Sequence, residues 1–101
     1  MTHPDRLGFF ITSGKGFHIT FENGYTVSVQ FGPGNYCDNH DREIGRDEAA
    51  CGRDGSGTAE CAVWPRGGRM IARWGGENVS NRSTPAKVLE LLNWAAAQTP
   101  T

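Results

Sequence analysis

Apolar and polar residues alternate along two neighbouring stretches of the chain. Phe17, Ile19 and Phe21 alternate with His18, Thr20 and Glu22. Tyr25, Val27, Val29 and Phe31 alternate with Thr26, Ser28 and Gln30. Side chains of a strand point to opposite faces in turn, so a period of two marks two half-buried strands. Asn23-Gly24 between them signals a hairpin. A two-residue loop would pair Phe21 with Thr26 and mix the faces. A three-residue loop, Glu22-Asn23-Gly24, pairs Phe21 with Tyr25, Ile19 with Val27 and Phe17 with Val29. Every apolar residue then lies on one side. That loop requires Gly24 in the left-handed conformation, as a bulge. The opposite face carries His18 beside Ser28 and Thr20 beside Thr26, with Gln30 close to Gly16.

The remaining pattern completes the fold. Gly8 to Thr12 is a short apolar run and reads as a first strand, followed by a turn at Ser13-Gly14-Lys15-Gly16. Thr58–Trp64 and Arg69–Trp74 read as a second hairpin around Pro65-Arg66-Gly67-Gly68. Its register places Ala59, Cys61, Val63, Met70, Ala72 and Trp74 on one face, and pairs Glu60 with Arg73 and Trp64 with Arg69 on the other. Gly75 to Ser83 reads as a polar connection. Thr84 is a good N-cap and Pro85 a good first helical residue. The helix should run to about Gln98, with Val88, Leu92 and Ala95 as its buried stripe, widened by Leu89, Leu91 and Ala96. Residues 32–57 hold no sustained period and read as one long polar loop. The expected architecture is a single α+β domain: an antiparallel four- to five-stranded sheet of two hairpins, with one C-terminal helix packed on one face.

Composition adds constraints. Fourteen glycines and five prolines in 101 residues mean many turns, which agrees with strands more than helices. The net charge of −1 argues against nucleic-acid binding, which asks for a strongly basic surface. The basic residues are arginines apart from Lys15 and Lys87, and arginine suits planar recognition of phosphate or carboxylate. No apolar run approaches the roughly 18 residues of a membrane span. The start, MTHPDRLGFF, does not read as an export signal, so a cytoplasmic protein is expected. Cys37, Cys51 and Cys61 cannot all pair within one chain, which fits reduced thiols.

Two groups of residues invite a ligand. The polar face of the first hairpin offers His18, Thr20, Thr26, Ser28 and Gln30, whose hydroxyls, amide and imidazole can bind a polar molecule by oriented hydrogen bonds. Its plain alternative is a polar sheet face turned to water. The loop after it, Gly32-Pro33-Gly34-Asn35-Tyr36-Cys37-Asp38-Asn39-His40-Asp41, combines glycines whose amides can approach an anion with Tyr36 to stack on a base. Asn35, Asp38 and Asn39 could read hydroxyl or amine edges, or merely bond their own backbone. Arg69 and Arg73 are further candidates for a phosphate.

Other chemistry is thinner. His18-Ile19-Thr20 fits the H-x-T element of two-histidine phosphoesterases, but that machinery uses two such elements and this chain has one. Cys37-x-x-His40, with Cys51 and Cys61, offers four zinc-type ligands without paired C-x-x-C spacing. No metal, no cofactor and no catalytic residue is therefore assigned.

Gly16-Phe17-His18-Ile19-Thr20-Phe21-Glu22-Asn23-Gly24, continuing through Ser28-Val29-Gln30-Phe31-Gly32-Pro33-Gly34-Asn35-Tyr36-Cys37-Asp38-Asn39, resembles a group of small uncharacterised proteins of actinobacterial phages and prophages. The likeness covers about the first forty residues well and the C-terminal helix loosely. It implies an accessory protein acting in the host cytoplasm, of a size shared by proteins that blunt host immunity. The leading expectation is a non-enzymatic, homo-oligomeric sponge for a small anionic, nucleotide-like signal. The alternatives are an interaction module that jams a host enzyme through an exposed Trp64 and the charged loop, and a small phosphodiesterase using His18.

Overall fold

The computed structural model describes residues 7–12, 16–32, 37, 55–68 and 79–100. Five strands, β1 (Gly8–Ile11), β2 (Gly16–Thr20), β3 (Thr26–Gln30), β4 (Ala59–Trp64) and β5 (Val79–Ser83), precede one helix, α1 (Pro85–Ala96). The strands form one antiparallel sheet in the order β1-β2-β3-β4-β5. This is the expected α+β architecture, with the helix on one face.

The first hairpin has the expected register. Phe17 lies opposite Val29, Ile19 opposite Val27 and Thr20 opposite Thr26. Phe21 N–H donates to the Tyr25 carbonyl at 2.9 Å, Gly24 N–H donates to the Phe21 carbonyl at 2.9 Å, and Gly24 has φ 90°. These bonds define a three-residue loop closed by a left-handed glycine. Pro65 to Gly68 also turns as expected. Gly68 N–H donates to the Pro65 carbonyl at 3.0 Å, with Gly67 at φ 62°, the pattern of a type II turn.

The segment before the helix differs from the sequence reading. The expected arm Arg69–Trp74, with the pairs Glu60–Arg73 and Trp64–Arg69, lies outside the described residues. Within them, the edge of β4 away from β3 is taken by β5, with Ala59 opposite Ser83, Cys61 opposite Ser80 and Ala62 opposite Val79. The end of the supposed polar connection is thus a strand. Its lack of alternation has a cause: a bulge between Ala59 and Cys61 gives β5 an extra residue, with Arg82 at φ 49°.

The helix begins as its sequence dictates. Thr84 caps it, accepting from Lys87 N–H at 3.3 Å, and Pro85 follows. Its deepest residues are Leu91 and Ala95, whereas Val88 and Leu92 are half-buried and Leu89 and Ala96 exposed. The stripe is therefore rotated from the one expected. Contacts at the helix end account for the turn. Trp94 meets Tyr25 edge to face at 6.1 Å, and Asn23 Nδ2 donates to the carbonyls of Ala95 at 2.7 Å and Gln98 at 3.0 Å. A hairpin loop thereby satisfies carbonyls that a helix leaves open at its C-terminus.

The core lies between α1 and the sheet. Val27, Val29, Ala59, Cys61 and Val63 meet Leu91 and Ala95 there. The helix packs on β3, β4 and β5 and leaves β1 and β2 to the side. No helix among the described residues is long and apolar enough to cross a membrane.

Candidate functional site

The register of β2 against β3 and β4 brings His18, Thr20, Thr26, Ser28 and Gln30 onto the sheet face away from α1, as alternation requires. The sequence reading expected this face to meet solvent. His18, Thr20, Thr26 and Ser28 are instead buried. Trp64, expected to be an exposed interface residue, is also buried and packs edge to face on the His18 ring at 5.2 Å. Both expectations of exposure are corrected. Alternation tells which side a residue faces; it is silent on whether that side is covered.

The polar groups of this layer bond one another. The Thr20 and Thr26 hydroxyls are 2.9 Å apart. Gln30 Nε2 donates to Ser28 Oγ at 3.2 Å and, at a long 3.5 Å, to the Phe17 carbonyl, while Gln30 Oε1 accepts from the Thr12 hydroxyl at 2.9 Å. Buried polar groups are costly unless hydrogen-bonded, and these bonds meet that demand for Thr20, Thr26, Ser28 and Gln30, whereas the Trp64 indole N–H is buried with no hydrogen bond among the described residues. His18, Thr20, Ser28 and Gln30 are thus brought together, as a packed polar layer. Asn35, Tyr36, Asp38, Asn39, Arg69 and Arg73 lie outside the described residues.

The two described cysteines, Cys37 and Cys61, are buried. Cys61 is buried in the core, and burial, opposed by a hydrogen bond with Ser83 and reinforced by Glu60, pushes its thiol up to about 11. A thiol held so far from ionisation is a poor nucleophile and metal ligand at neutral pH. Cys37 is buried too, its Sγ accepting from Gly32 N–H at 3.2 Å and donating to the Gly32 carbonyl at 3.6 Å. Among the described residues no cluster of three or more His, Cys, Asp or Glu stands ready for a metal ion. His40 and Cys51 lie outside them.

A cavity of about 440 Å³ opens elsewhere, where the first turns of α1 cross the ends of β3 and β4. Val29, Phe31, Val88 and Leu92 form its apolar walls, with Thr58 and Ser83 among its hydroxyls. Leu89, 58% exposed, sits at its rim. No titratable side chain is among its described lining residues. The volume is within the range of about 300–1,000 Å³ usual for small-molecule sites, and an apolar lining with a few hydroxyls is usual there as well. Sequence reasoning missed this site because it forms where distant segments meet. The one local signal is Gly55-Ser56-Gly57, whose small side chains leave room beside the helix.

No family model, no curated protein and no solved structure matches the chain.

Proposed function

We propose that the protein is a non-enzymatic binder of a small nucleotide-like ligand, seated in the cavity between α1 and the ends of β3 and β4. The observation that carries this reading is the cavity itself, sized for one such molecule and lined by apolar walls and neutral hydroxyls. A flat base fits between Val29, Phe31, Val88 and Leu92, where removal from water favours it. Ser56, Thr58 and Ser83 supply hydroxyls for a sugar or base edge. The exposed Arg82 precedes Ser83, and Lys87 lies in the first turn of α1. Each brings a cation within a few residues, in sequence, of the lining residues Ser83 and Val88.

Capture is the role that apolar walls and hydroxyls support, since these groups hold a ligand by burial and hydrogen bonds. His18, the residue a phosphodiesterase would use, is buried against Trp64 on the opposite face of the sheet. The resemblance of residues 16–39 to phage proteins supports a role in withdrawing a host signal, met in the host cytoplasm.

The test is to incubate the protein with a nucleotide mixture, wash it, release bound material by heat and identify it by mass spectrometry. An intact nucleotide released from the wild type, and reduced at least ten-fold with Leu89→Trp, supports the reading. Leu89 is exposed at the rim, so tryptophan fills the mouth without opening the core. Cleaved nucleotide, equal retention by the folded Leu89→Trp variant, or no retention at all overturns it.

A further inference from the structure

β1 is an edge strand, and the described residues place no strand beyond it. It is also apolar and uncharged along its length, Gly8-Phe9-Phe10-Ile11. Phe9 is 77% exposed and Ile11 86%, and Leu7 just before them is 52% exposed. Edge strands of soluble proteins are ordinarily guarded by charge, proline or a covering element. Nothing of that kind stands within β1, and α1 packs on β3, β4 and β5 instead.

The backbone shows which groups are left open. Thr12 N–H donates to the Gly16 carbonyl at 3.2 Å, in the register that sets Phe10 opposite His18 and Gly8 opposite Thr20. Even-numbered residues of this strand therefore turn their backbone groups toward β2. Those of Phe9 and Ile11 point to the open edge. Their side chains share the helix-side face with Ile19 and Phe17, which lie opposite them in the register.

We infer that this edge is an interface with a second copy of the same chain, β1 pairing antiparallel with its own mate across a two-fold axis at Phe10. In that register Phe9 of one copy lies opposite Ile11 of the other, and each such pair can exchange both backbone hydrogen bonds. Four large apolar side chains, two from each copy, fall on one face, where they cover one another. The occupant is argued from self-complementarity. The edge donates and accepts at matching positions, and uncharged Phe and Ile impose no partner of opposite charge. Leu7, Phe9 and Ile11 together expose roughly 450 Å² per copy, about 900 Å² for the pair, below the usual range of about 1,200–2,000 Å² for stable complexes. The dimer is therefore concentration-dependent. This inference stands apart from the cavity, whose lining includes no residue of β1.

Sedimentation velocity from about 1 to about 200 µM tests it. The wild type should rise from one to two chain masses, and Ile11→Lys, exposed and so free to fold, should remain at one. Register is tested by cross-linking, with Cys51→Ser in every sample. Phe9→Cys and Ile11→Cys proteins, mixed and mildly oxidised, should join covalently, while neither alone should do so. Narrow antiparallel pairs hold Cα atoms about 5.5 Å apart, within disulfide reach. A wild type monomeric at the highest concentration, or a dimer that persists in Ile11→Lys, overturns the interface. Cross-linking of either single variant alone overturns the register. A monomer whose β1 instead captures another protein assigns the edge to a different partner and also overturns the proposal.

Discussion

Val27 and Val29 of β3 and Phe9 and Ile11 of β1 sit on the same side of one sheet, yet the first pair is buried and the second almost wholly exposed. The two strands are equally apolar on that side. What separates them is position: β3 lies under the helix, and β1 lies two strands away at the margin. The lesson is that burial belongs to the layer above a strand as much as to the strand. One helix of 12 residues is narrower than five strands, so a part of the apolar face is left over. The centre of the sheet should accordingly be sensitive to substitution and its margin tolerant.

The largest effect should come from Gly16, where the centre and the margin join. Gly16 has φ 153°, and a Cβ there would run into the carbonyl oxygen of Val29 on the neighbouring strand. The obstacle is backbone, which cannot swing aside as a side chain can. Gly16→Ala should cost about 3 kcal/mol, read as a lower urea midpoint with unchanged slope. A loss below about 1 kcal/mol would mean that β2 can shift against β3 and that the two are less rigidly joined.

Next in size is truncation in the centre. Val63 is fully buried beneath α1, and Val63→Ala should cost about 2 kcal/mol by lost transfer energy and a residual cavity. The same core has a pH dependence of definite sign. The Cys61 thiol is raised from 9.0 in the open chain to about 11 in the fold. Above pH 9 the unfolded chain therefore ionises this group first. Its contribution is fully present below pH 9 and is lost as pH rises toward 11. Denaturation midpoints of wild type and Cys61→Ala should converge over that window. Parallel curves would show that burial does not hold the thiol neutral.

Local rules made much of this fold legible in the sequence. The period of two between Phe17 and Phe31, together with the demand that one face stay apolar, selected the loop length and placed Gly24 in its left-handed conformation. Thr84-Pro85 located the helix start because capping needs only neighbours in sequence. The parts missed are those set by contacts distant in sequence. β5 was hidden because its bulge breaks alternation, and pairing with β4 alone makes it a strand. The burial of Trp64 against His18 joins residues from two hairpins of the expected fold, which no period links. For the candidate site, the sequence grouped His18, Thr20, Ser28 and Gln30 rightly in space. It read a buried polar layer as an open one. It offered no sight of the cavity, which exists only once α1 has docked.

Asn23 shows how a turn can act at a distance. Besides donating to Ala95 and Gln98, its Oδ1 accepts from Tyr25 N–H at 3.0 Å, so one buried side chain shapes the hairpin and holds the helix end. Asn23→Ala leaves helix carbonyls without these bonds and should cost about 1–2 kcal/mol. Hydrogen exchange should locate the loss, with faster exchange at Ala97 and Gln98 than at Val27 and Val29. Uniform acceleration would mean the contact supports the whole core and not the helix end alone.

The smallest effect should fall at the margin, and it sharpens the contrast most. Ile11 keeps 86% of its surface in water, so truncation removes little that folding had buried. Ile11→Ala should change monomer stability by less than about 0.5 kcal/mol, measured at low micromolar concentration where no second copy contributes. Val63→Ala, also a loss of methyl groups, removes them from the interior and should cost about four times as much. A loss at Ile11 as large as that at Val63, under dilute conditions, would show that apolar area alone sets the cost. The covering helix would then not be what distinguishes β3 from β1.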